Sequence, residues 1–294
     1  MRLAPFLCAI LLALFAGGCS VKASQRLLIW GTDFTLQRAV SYGPEARQKL
    51  DIYSPRRQPV RATVLFLYGG SWKTGERGLY RFLGQAMASR GYQLVVADYR
   101  LYPEVRYPAF VEDGAAAFAW VKGNIALYGG TPGTVALMGH SAGAYNAAML
   151  AVDPRWLAPY GLTSRDAFAV VALAGPLSFN PAESDSTRDI FATAPDINAA
   201  RPVKLAAAGA AAAPAMLFIH GTADTTVGFH NSQNMAKAVA DAGGSAELKL
   251  YQDVSHLGVI TCFAWPLRWR APCLNDVDQF LTAQLRADNA DPKD

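Results

Sequence analysis

From Lys49 to Val254 the chain alternates short apolar runs with stretches of helical periodicity, and that alternation restricts the fold more than any other feature. "QKLDIYSP", "RATVLFLYGG", "YQLVVADYR", "TVALMG", "AFAVVALAGPLSF", "APAMLFIHG" and "AELKLYQDV" have the length and bounding turns of strands. Between them, "LYRFLGQAMASRGY", "YPAFVEDGAAAFAWVKGNIALYGG", "SAGAYNAAMLAV", "GFHNSQNMAKAVADAGG" and the closing "LNDVDQFLTAQLRA" carry helix-spaced apolar residues. Several strand runs are apolar throughout, which predicts burial on both faces. Strands that alternate with helices predict a mostly parallel sheet with helices on both sides. Sites in such sheets gather at the carboxyl ends of the strands. The residues to inspect are therefore those that follow each strand: "YGGSW", "ADYR", "GHSAG", "AGPLSF", "HGTAD" and "QDVSHLG".

With 294 residues, the chain has room for one large domain or two small ones. Between "GPLSF" and "APAML" lies a Ser-, Asp-, Pro- and Ala-rich connection of about 35 residues, longer than usual and expected to be a small lid insert. No second domain boundary is visible. The 52% hydrophobic and 17% charged composition leaves no long disordered arm. The net charge of +4 is spread thinly, and Arg56–Arg57 is the one tight basic pair after the N-terminus, so no nucleic-acid partner is expected. Residues 1–18 ("MRLAPFLCAILLALFAGG") read as a signal peptide. Their apolar stretch is too short to span a bilayer, which takes roughly 20 residues. The ending "LFAGGC" resembles the lipobox of bacterial lipoproteins. That resemblance implies an exported protein lipidated on Cys19 and facing the periplasm, with residues 19–28 as tether and the anchor as its one membrane contact. Ordinary secretion with cleavage after Ala23 is the alternative. Residues 29–288 would be the folded domain and 289–294 a polar tail. Export leaves Cys262 and Cys273 as an even pair, either a disulfide or two buried thiols. No histidine stands at ligand spacing from either cysteine, so no metal is expected.

Ser141 sits in "GHSAG", where a buried strand gives way to a helix. A sharp strand-to-helix turn needs glycine-sized neighbours at 139 and 143 and leaves the hydroxyl standing clear. The helix N-terminus adds free N–H groups and partial positive charge. A tight turn that happens to contain serine is the plainer reading; the context favours a nucleophile. Such a hydroxyl needs a base. His140 adjoins the serine and is expected to point away, His220 ends an apolar strand as a packed, hydrogen-bonded core residue, and His230 begins a helix, partly exposed. His256, in the loop after the last strand, is the expected base. Asp224 follows the preceding strand and would orient it. Asp253 is expected to brace its own loop, and Asp98 likewise. Oxyanion donors are assigned to the amides of Gly70, Ser71 and Ala142.

The strings "YGPEARQKLDIY", "YGGSW", "ADYRLYPEVRYPAFVEDG", "GHSAG", "HGTADTTV" and "SHLG" together resemble the α/β-hydrolase superfamily. More narrowly, they resemble the bacterial carboxylesterase and feruloyl-esterase-like branch related to hormone-sensitive lipase. The resemblance implies an α/β fold with a mostly parallel eight-stranded sheet, helices on both faces and a small lid. It also implies a serine hydrolase for small or short-acyl esters, with Ser141, Asp224 and His256 as the triad and no organic cofactor. Trp72 and the insert after Phe179 would line the pocket. Two departures stand out: Tyr68 where the family usually has histidine, and Ser71 where it often has glycine. If position 71 takes positive φ, serine is strained by roughly 1–3 kcal/mol. The alternatives are arylformamidase-like amide hydrolysis and a non-catalytic binding lipoprotein on the same scaffold.

Overall fold

A computed structural model describes residues 34–290, so the expected signal peptide, lipidated Cys19 and tether lie outside the described residues, as do residues 291–294. Eight strands form a single sheet: β1 Phe34–Ser41, β2 Lys49–Pro55, β3 Ala62–Leu67, β4 Tyr92–Ala97, β5 Val135–His140, β6 Ala169–Leu173, β7 Ala215–Gly221 and β8 Ala246–Tyr251. Their order is β1-β2-β4-β3-β5-β6-β7-β8. β1 and β2 pair antiparallel, β2 joins β4 antiparallel, and every pairing from β4 to β8 is parallel. This is the mostly parallel eight-stranded sheet that the resemblance implied.

The sequence patterns explain which strands are central. Every residue of β3, β4, β5 and β6 is buried, as a strand covered on both faces requires. Burying one Val, Leu or Phe side chain of this kind is worth roughly 1.5–3 kcal/mol. β1 behaves differently. Its residues are mostly exposed, and a bulge between Gln37 and Val40 breaks its register with β2. An edge strand needs one face at most, so "FTLQRAVS" carries no apolar alternation that a sequence reading would recognise.

Seven α-helices accompany the sheet among the described residues: α1 Arg81–Ala88, α2 Ala109–Asn124, α3 Ala142–Val152, α4 Pro202–Gly209, α5 His230–Asp241, α6 His256–Thr261 and α7 Cys273–Ala290. α3 is buried along its whole length, which its run of Ala and Gly permits. α4 lies inside the long connection from β6 to β7, which the sequence reading left without a helix. Pro202 stands in its first turn, where the missing N–H costs nothing. α6 is a single short helix after β8, with the side chain of Ser255 capping the Gly258 amide. Cys262, which ends α6, is bonded to Cys273, which starts α7, with Cα atoms 6.2 Å apart.

Among the described residues, no helix is long and apolar enough to cross a membrane.

Candidate active site

Ser141 occupies the turn between β5 and α3 with φ 55° and ψ −122°, a conformation that costs a non-glycine residue free energy. The neighbouring glycines make the turn possible. A Cβ at Gly139 would lie 2.2 Å from the Gly143 oxygen, and one at Gly143 would lie 2.0 Å from the Leu67 oxygen. The Ser141 amide bonds to the Leu173 oxygen at the end of β6 (2.8 Å). Its carbonyl takes the Ala144 amide, so the amides of Ala142 and Gly143 precede the first intrahelical bond of α3. Ala142 is thus a helix-end donor immediately after the serine.

His256 and Asp224 meet directly. His256 Nδ1 lies 2.7 Å from Asp224 Oδ2, which leaves Nε2 as the ring nitrogen available to a hydroxyl. Asp224 is anchored on its other oxygen, where Oδ1 accepts the amides of Thr226 (2.9 Å) and Val227 (2.8 Å). Burial alone would raise the Asp224 pKa. Hydrogen bonds from His220, His256 and the Val227 amide outweigh it and hold the carboxyl well below the usual carboxylate range. Asp224 therefore stays an ionised acceptor for the His256 ring over the neutral pH range.

The chain segment bearing Ser141 is tied to His256 through His140. The two imidazoles lie 4.8 Å apart, and His140 Nε2 is 3.2 Å from the His256 carbonyl oxygen, an acceptor that requires an N–H there. Burial pushes the His140 pKa down to about 3, so the ring is neutral. His140 thus holds the backbone of His256 and is not itself placed as a base. His220 is fully buried and also reaches Asp224, with Nε2 3.1 Å from Oδ2. It is a packed, hydrogen-bonded core histidine as expected; what the sequence reading missed is that its partner is Asp224. The available signal was the i, i+4 spacing of His and Asp in "HGTAD". His230 is exposed at the start of α5. Asp253 is exposed with φ 59°, and its amide donates to Thr222 Oγ1.

Opposite the serine lies the loop after β3. Gly70, Ser71 and Trp72 all take positive φ (131°, 53° and 57°), and the Gly70 carbonyl accepts the amides of Lys73 and Thr74. The loop closes against the serine: a Cβ at Gly69 would lie 2.8 Å from Ser141 Cβ. Ser71 therefore does carry the left-handed strain that a serine at this position implies. Tyr68 and Asp98 brace the loop from beneath. The Tyr68 hydroxyl donates to Asp98 Oδ1 (2.9 Å), and Asp98 also accepts the Arg77 amide (2.7 Å) and pairs with its guanidinium.

Trp72 is 2% exposed. It packs against Phe110, Tyr145, Phe179 and Phe191, and its Nε1–H donates to Asn146 Oδ1 (3.0 Å). Phe179 and Phe191 come from the β6–β7 connection, so this cluster fastens the connection to the loop that carries Gly70 and Ser71. Chemically, the arrangement offers a strained hydroxyl, an imidazole oriented by a carboxylate, and backbone amides on two sides. Among the described residues, no group of three or more His, Cys, Asp or Glu side chains is placed to hold a metal ion.

Comparison with known proteins gives a consistent picture. The BD-FAE family model matches residues 50–239. The isoprenylcysteine alpha-carbonyl methylesterase ICME of Arabidopsis thaliana is 27% identical over 244 residues, 75% of this chain and 56% of that protein. The chain thus spans little more than half the length of that relative. Esterase B from Lactobacillus rhamnosis superposes with a TM-score of 0.79 at 19% identity, covering 99% of each chain, which is a likeness of fold. The thermophilic esterase Est2 of Thermogutta terrifontis superposes with a TM-score of 0.69 at 25% identity, over 85% of this chain and 92% of that one.

Proposed function

The chain belongs to the BD-FAE family, and from that premise we propose that it is a serine hydrolase of carboxylic esters with small or short acyl groups. The observation that carries the reading is the 2.7 Å contact of His256 Nδ1 with Asp224 Oδ2, together with a serine at positive φ on a strand-to-helix turn whose neighbour His140 lies 4.8 Å, ring to ring, from His256. The esterase names of the relatives and structural neighbours support the same reaction class.

In this mechanism Ser141 Oγ attacks the ester carbonyl while His256 Nε2 takes the hydroxyl proton. Asp224 fixes the ring with Nδ1 protonated and stabilises the imidazolium that forms. The oxyanion of the tetrahedral intermediate accepts hydrogen bonds from the amides of Gly70, Ser71 and Ala142. The ester C–O bond breaks, and the alcohol leaves with the proton from His256. Water then loses a proton to the same nitrogen, adds to the acyl-enzyme, and releases the acid together with free Ser141. The connection after Phe179, fastened from behind by the buried Trp72, bounds the substrate on one side.

Replacing Ser141 by Ala should abolish turnover of p-nitrophenyl acetate while leaving the unfolding midpoint near that of the parent. Retained turnover in a folded Ser141→Ala protein overturns the assignment.

A further inference from the structure

Asp224 holds two imidazoles. Oδ2 accepts from His256 Nδ1 at 2.7 Å and lies 3.1 Å from His220 Nε2, while Oδ1 takes two backbone amides. The second imidazole has a defined tautomer. His220 Nε2 faces only acceptors, the Asp224 carboxylate and the Val227 carbonyl at 2.8 Å, so it carries the hydrogen. Nδ1 lies 2.7 Å from the hydroxyl of Ser232 on α5, which can donate. Ser232 Oγ–H to Nδ1, and Nε2–H to Asp224 and Val227, give both ring nitrogens a partner. His220 and Ser232 are both completely buried, so no solvent replaces these bonds.

We propose that His220 is a positioning residue for Asp224, a role that rests on the triad reading above. Its Nε2–H fills the second lone pair of Oδ2 and also holds the carbonyl of Val227, whose amide holds Oδ1. The 224–227 turn is thereby clamped from both sides, and the carboxylate plane cannot rotate away from His256. Ser232 sets the tautomer that makes this possible.

The test compares two amides of similar polarity. In His220→Gln the side-chain amide reaches the position of Nε2; in His220→Asn it reaches only that of Nδ1. With p-nitrophenyl acetate, His220→Asn should lose roughly tenfold in kcat with KM changed by less than about twofold, and His220→Gln should stay within about threefold of the parent. Equal losses in the two variants, or no loss in His220→Asn, overturn the proposal. Should His220→Asn not fold, Ser232→Ala removes only the donor to Nδ1 and should lower kcat roughly threefold with KM unchanged; an unaltered kcat there also overturns it. Asp224→Asn, assayed in parallel, separates the two levels of inference. If it keeps the parental kcat, the triad reading itself fails. If it loses activity while His220→Asn does not, only the role of His220 falls.

Discussion

The Tyr68 hydroxyl joins charged side chains from two distant segments, donating to Asp98 Oδ1 (2.9 Å) and accepting from Arg47 Nη2 (2.8 Å). The ring stacks between Tyr80 and Tyr99, and the Tyr99 hydroxyl donates to the Tyr68 carbonyl. Where the resembled family carries histidine, this chain has a longer phenol whose hydroxyl bridges Arg47 and Asp98. Burial and the nearby Asp98 carboxylate hold the phenol far above its ordinary pKa, so it remains a donor. Tyr68→Phe leaves the buried Asp98 carboxylate and the half-buried Arg47 guanidinium each one bond short. It should lower the unfolding free energy by about 1–3 kcal/mol in urea titrations, and an unchanged value would show the hydroxyl idle. At this scale the sequence was legible where a residue's part follows from its place in the chain. Ser141, Asp224 and His256 each stand just after a strand. It was silent where the part depends on side-chain direction: that His220 points to Asp224, and that Trp72 closes an aromatic cluster.

Elements were legible in proportion to their burial. The seven strands read from apolar runs are all present, whereas β1, an exposed edge strand with a bulge, has no such run. α4 hides in an Ala-rich connection without amphipathic spacing, and α6 is too short for any period to show. The junction of β5 and α3 gives the sharpest prediction. In Gly143→Ala the new methyl would lie 2.0 Å from the Leu67 oxygen and 2.5 Å from the Tyr68 oxygen, both backbone atoms that cannot step aside. α3 must then move off β3, carrying Ser141 and Ala142 with it. We expect a loss of about 1–3 kcal/mol in stability and at least a hundredfold in kcat/KM. Gly123→Ala is the contrast. It is an exposed residue in α2 with nothing within 4 Å of the new methyl, so it should gain up to about 1 kcal/mol through helix propensity and leave kcat/KM alone. Equal effects of the two alanines on activity would refute the steric account of the turn.

Across the whole molecule, the site draws its parts from opposite ends of the chain, and buried titratable groups make their union depend on pH. The bond between Cys262 and Cys273 ties the helix that begins with His256 to α7, and closing so short a loop is worth roughly 2–4 kcal/mol. His140 is neutral in the folded protein, with its pKa depressed from the ordinary 6.5 to about 3 by burial and by His256. In the unfolded chain it protonates as pH falls through its ordinary range. Its contribution is complete above about pH 6.5 and is lost progressively toward pH 3, because the unfolded state binds the extra proton. Asp224 acts in the same direction lower down. Its folded pKa is depressed, so its contribution is present above the ordinary carboxylate value of 3.8 and fades as pH drops through and below it. Between pH 6 and 4.5, His140 alone should therefore steepen the decline in unfolding free energy by up to roughly 1.4 kcal/mol per pH unit. His140→Gln keeps an N–H for the His256 carbonyl but has nothing to titrate, and should remove that one-proton slope. Urea titrations of both proteins across this window measure the difference directly. Parallel slopes would mean that His140 is already protonated in the folded state, and the tie between the two imidazoles would have to be redrawn.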